Sequence, residues 1–183
     1  MLDERGSEAD GLDIKPGSIL EIGYDGSMME SYPMRLSNVD YIKFIGQENS
    51  PVELFCQVIM DLYIDDPALN SEIDTVAFDL SGIRNLSEAE KSAITYLMGE
   101  EMGLITVTGT FDELCNEGYI DRENLYFPSG ILFEIATSNE GGDRFTFVAS
   151  KWRSGLGAIG MADCKAELKS GQWSYTQGSQ WIS

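Results

Sequence analysis

The residues best suited to chemistry in this chain stand together. Lys151, Trp152 and Arg153 close an alternating apolar run, and Gly155, Gly157 and Gly160 follow at once. The glycines spell G-x-G-x-x-G behind an expected strand, an order in which backbone N–H groups can meet a pyrophosphate. That mechanism requires a helix to start at the third glycine. Instead, residues 162 to 169 alternate small or apolar side chains at even positions with charged ones at odd positions, the period of a half-buried strand. The glycines are thus expected to join two antiparallel strands, and no cofactor is expected.

What remains is a patch for holding an anion, two cations beside a glycine turn whose N–H groups can converge. We expect Lys151, Trp152, Arg153, Gly155 and Gly157 to meet a small acidic ligand or an acidic group on a protein partner. Trp173, Tyr175 and Trp181 would supply further walls. The competing reading makes both cations solvated strand-end charges lying over Trp152. Phe145, Phe147 and Ala149 share one strand face, but Trp152 falls on the other parity. A bulge or strand end between Ala149 and Trp152 is therefore expected.

The missing residue types exclude more than the present ones assign. There is no histidine, so serine and cysteine hydrolases of the triad kind lack the base that takes the nucleophile's proton. Cys56, Cys115 and Cys164 show no C-x-x-C spacing and are too few for a Cys₄ centre. No metal site is expected, and buried reduced thiols are the default. Asp65-Asp66 before Pro67 reads as a solvated turn, without the spacing of a calcium loop. Carboxylate chemistry stays open, because a glycosidase needs only two acids at the right separation. With 31 acidic residues no pair can be singled out, and no catalytic residue is assigned. That alternative gains if a pocket brings two carboxylates together with one in an apolar wall.

Net charge narrows the partners. The chain has 183 residues, 12 basic and 31 acidic, for a net of −19. Residues 144–169 alone carry +3, leaving −22 on the rest. Such a surface repels phosphate backbones, so neither nucleic acid nor an anionic membrane is expected as a partner. No stretch approaches the 18 or more apolar residues of a spanning helix. A membrane link is expected only through an N-terminal anchor outside this sequence.

The positioning elements follow from local signals. Residues 1–16 read as a disordered polar linker and 17–183 as a single α+β domain. Ser18–Tyr24 is an expected strand with a return over Ser27–Met34, whereas Val39–Ile45 fits strand or helix equally. Three helices announce themselves by a Ser or Thr followed three residues later by Glu: Ser50 with Glu53, Ser87 with Glu90, and Thr110 with Glu113. Strands are expected over 74–80 and 104–108, then over 131–137, 144–152, 161–168 and 172–176. The expected architecture is a mostly antiparallel sheet with about three helices packed on one face and a C-terminal β-meander. Glu123–Gly130, ENLYFPSG, resembles the tobacco etch virus protease recognition sequence, with Pro128 where glutamine is required; it is taken as native.

The segment FVASKWRSGLGAIG, followed by a hairpin and Gln180-Trp181-Ile182-Ser183, resembles the C-terminal part of exported, lipoprotein-like domains of Gram-positive gut bacteria. The similarity covers about the last quarter of the chain and carries no catalytic motif. It implies an exported protein, secreted or tethered to the cell surface. Together these readings favour a non-enzymatic extracytoplasmic binding, sensing or protein-interaction domain, with a carboxylate-dependent hydrolase as the alternative.

Overall fold

A computed structural model describes residues 14, 15, 17–29 and 35–183. The expected linker over 1–16 lies outside the described residues apart from Ile14 and Lys15. The described residues fall into two compact units that divide after Ser50.

In the first unit, β1 (Ser18–Tyr24) pairs antiparallel with β4 (Val39–Gln47), and β2 (Met28–Met29) pairs with β3 (Arg35–Leu36). The segment that fitted two conformations is a strand.

Among the described residues of the second unit, three helices pack on one sheet. Its elements are α1 (Val52–Ile64), a 3₁₀ turn (Pro67–Asn70), β5 (Thr75–Gly82), α2 (Glu88–Met102), β6 (Ile105–Thr108), α3 (Phe111–Asn116), β7 (Gly130–Ser138), β8 (Arg144–Ser154), β9 (Gly157–Lys169), β10 (Gln172–Thr176) and β11 (Ser179–Ile182). The sheet order is β10-β9-β8-β7-β5-β6, with β11 also paired to β9. From β7 to β10 the chain runs as an antiparallel meander.

The α+β class holds, but the sheet is mixed rather than mostly antiparallel, because β5 runs parallel to both β6 and β7. Each parallel pair needs a crossover, which α2 and then α3 with its loop provide. Nor do the helices share one face. The chain crosses from β5 outward to β6 and then back over β5 to β7. Right-handed crossovers in opposite directions put their helices on opposite sides of a sheet. Accordingly Ile94 and Met98 of α2 join Phe55, Val58, Ile59 and Leu62 of α1 over Val76, Phe78 and Leu80. Leu114 of α3 instead meets Ala77 and Leu132 on the other side.

Local chemistry sets the helix starts. Complete capping boxes join Ser87 with Glu90 and Thr110 with Glu113, each satisfying two otherwise orphaned N–H groups. At α1 Pro51 occupies the capping position, with no side-chain cap of its own. The main core is aromatic where the meander meets α1: Phe55 stacks on Phe145 at 5.6 Å and meets Phe147 edge-on.

Candidate functional site

The basic pair faces inward. Phe145, Phe147, Ala149 and Lys151 all keep the parity of the main core, and Lys151 has no exposed surface. Its ammonium donates to the carbonyls of Tyr63 (3.3 Å), Asp65 (2.5 Å) and Asp66 (3.1 Å) and to Asn70 Oδ1 (3.2 Å). These oxygens come from the C-terminal end of α1 and the turn after it, where the helix dipole favours a cation. Burial pulls the ammonium down to about 8, against the opposing pull of Asp66 and Asp65.

Arg153 is held in the same way, by the carbonyls of Leu69 (2.9 Å) and Ser71 (2.6 Å), with its second nitrogen toward Pro128 O at 3.4 Å. Trp152 lies on the opposite face against Phe111, ring centroids 5.2 Å apart.

The cations of the expected anion patch thus have partners within the protein. Lys151 spends its donors on three main-chain oxygens and Asn70 Oδ1, and half-buried Arg153, next to the last residue of β8, turns both Nη nitrogens to main-chain oxygens. Gly155 N–H donates to Leu125 O at 2.9 Å, and Gly157 opens β9 against Ser154 and Leu69. The glycine turn does join two antiparallel strands, as the alternation after it requires. The expected face switch between Ala149 and Trp152 does not occur. It happens on the partner strand, where Ala162 and Asp163 together oppose Val148. Asp163 takes the left-handed backbone (φ 55°) of such a bulge. The core parity of β9 passes there from Ile159 and Met161 to Cys164 and Ala166.

A different surface is hollow. The half of the sheet face that α3 leaves uncovered forms a trough of about 400 Å³. Small outward residues, Ala136, Ser150 and Ala162, make it low, and Val148, 48% exposed, stands in its floor. Trp181 of β11 forms one wall. Its indole lies on Gly160, its cross-strand partner, where an added Cβ would come within 2.4 Å of Cζ2. Only glycine allows that close approach. The residue remains 43% exposed.

The other wall is acidic. Asp79 and Glu134 are direct register partners on parallel strands β5 and β7 and line the trough together. Asp79 Oδ1 accepts from Ser81 N–H (3.0 Å) and Ser81 Oγ (2.5 Å). Glu134 is exposed as a residue, yet its carboxyl group is partly withdrawn from water. That desolvation first, and the neighbouring Asp79 charge second, hold its carboxyl above the usual carboxylate range.

Sequence reasoning named Trp181 only as a further wall for the basic turn, and it missed Asp79 and Glu134. Asp79 and Glu134 sit 55 positions apart and meet only through the β5–β7 pairing. The strand carrying Trp181 is four residues long with no buried member, so it has no period to detect. Among the described residues no group of three or more His, Cys, Asp or Glu side chains could hold a metal ion. Comparison with known protein families, curated proteins and solved structures gives no match.

Proposed function

We propose that the chain is a non-enzymatic binding module that works outside the cytoplasm and holds its ligand in the trough. The observation that carries this reading is a preformed hollow on an uncovered sheet face, with an aromatic platform at one side and convergent polar groups at the other. Export is supported by the resemblance of the C-terminal segment to exported domains. We place the site in the trough rather than at the basic turn because the Lys151 ammonium and the Nη groups of Arg153 are engaged internally.

Val148→Trp tests it, filling the trough from a floor position outside the core. A screen of small molecules and peptides, followed by the Trp181 indole N–H signal in NMR, should find ligands that wild type captures and the filled variant loses. Equal capture by both proteins overturns the trough as the site.

A second reading has its own support. Asp79 and Glu134 are two carboxylates in one hollow with the carboxyl of Glu134 raised, the pattern by which an acid and an ionised partner share glycoside hydrolysis. Turnover of aryl glycosides that disappears in Glu134→Gln would favour it. No turnover by folded wild type removes it.

A further inference from the structure

We infer that the trough takes an elongated organic cation of the diamine or polyamine class, an inference that rests on the binding reading above. Like charges placed directly opposite each other on adjacent strands are destabilising, and Asp79 and Glu134 are opposed in this way. Ser81 donors serve Asp79 alone. Among the described residues Glu134 has no hydrogen-bond partner, and no lysine or arginine lines the trough. A cation seated between the two carboxylates supplies the missing counter-charge. A sugar could lie on the indole, but its neutral hydroxyls would leave the opposed charges uncompensated. A divalent metal would find two carboxylates, and among the described residues no group of three or more His, Cys, Asp or Glu side chains could hold a metal ion.

The other wall sets the length. Glu134 lies on β7 and Trp181 lies over Gly160 of β9. Two steps between neighbouring strands separate them, about 10 Å. One ammonium group at the carboxylates therefore leaves a second positive group over the exposed indole face, where the ring quadrupole attracts it. The stem between them crosses Ser150, which the register places between Glu134 and Gly160, and runs beside Ala136 and Val148, whose apolar side chains suit methylene groups. The surrounding acidic surface steers such ligands inward.

Isothermal titration of the full chain with spermidine tests this, with pentane-1,5-diol and glutarate as neutral and anionic controls. Spermidine should bind and the controls should not. Asp79→Asn with Glu134→Gln should weaken binding at least ten-fold, and Trp181→Ala about three- to ten-fold. Because Asp79 also holds Ser81, Glu134→Gln alone is the variant that leaves the β5 turn intact, and it should still lose several-fold. Unchanged spermidine affinity in these variants overturns the inference, since binding would then be diffuse attraction to an acidic surface. Capture of a neutral or anionic ligand that Val148→Trp abolishes, without spermidine binding, overturns the polyamine class while sparing the module. Absence of any ligand sensitive to Val148→Trp overturns both.

Discussion

Lys151→Met removes the donor that ties four oxygens together while roughly preserving side-chain volume. Exchanging a buried ion pair for apolar residues can be neutral when both partners go. Here three of the four acceptors are main-chain carbonyls, of Tyr63, Asp65 and Asp66, which no side-chain substitution removes. Each buried acceptor left without a donor costs about 1–3 kcal/mol. Water entering beside the 3₁₀ turn would serve some of them, so a total near that for breaking a buried pair, about 3–5 kcal/mol, is expected. All three tryptophans lie in the second unit, so urea unfolding followed by tryptophan fluorescence reports on it. With a slope of about 2 kcal/mol per molar, the midpoint should fall by roughly 1.5 to 2.5 M. Arg153→Met, at a half-buried site, should cost less. A Lys151→Met midpoint within 0.3 M of wild type would refute the cage as a source of stability.

Three further outcomes are expected. Burial first, and the Glu53 charge second, push the Cys56 thiol up from 9.0 to about 12. A raised acid pKa gives stability that is whole below pH 9 and lost as pH climbs toward 12, up to about 4 kcal/mol; alkaline unfolding curves of Cys56→Ala should lack that decline. Gly160→Ala should leave the fold intact but lift the exposed Trp181 ring from its seat, read as a red-shifted emission in a Trp152→Phe, Trp173→Phe background. Ser87→Ala should cost about 1 kcal/mol by opening the α2 capping box, measured by chemical denaturation.

Much of the fold was legible because it rests on short-range rules. The capping boxes located α2 and α3, and alternation located β5 and the meander. Parallel pairing was less accessible, because β5 and β7 are joined by register rather than by any local signal. Yet the order strand, helix, strand over 75–108 already implied a crossover, and with it a parallel pair. The basic turn misled for a specific reason. A large apolar residue on the other parity, Trp152, suggests a switch of face, whereas Lys151 simply continues the core face and finds its oxygens at the end of a helix 86 positions away. Only the tertiary fold brings that helix end there. Asp79 and Glu134 were invisible for the same reason among 31 acids, each unremarkable alone.

The inward turn of the two cations changes the electrostatic reading of the whole surface. In sequence, residues 144–169 form a positive island of +3 in a chain of −19. In the folded protein, Lys151 and Arg153 direct their charge onto carbonyl dipoles. Where cations of this unit meet carboxylates, the pairs are largely local and exposed, as for Lys169 with Glu167 and Arg144 with Asp143, and salt screens them. The island is therefore weaker than its residue count suggests, and the acidic excess dominates at the surface. An acidic ligand would approach against that field and find its expected donors taken, whereas a cation is drawn by the field toward the unpaired Glu134. The same reasoning makes capture strongly dependent on ionic strength: spermidine affinity should fall steeply between 20 and 200 mM salt, and an affinity indifferent to salt would contradict a site whose main work is charge compensation.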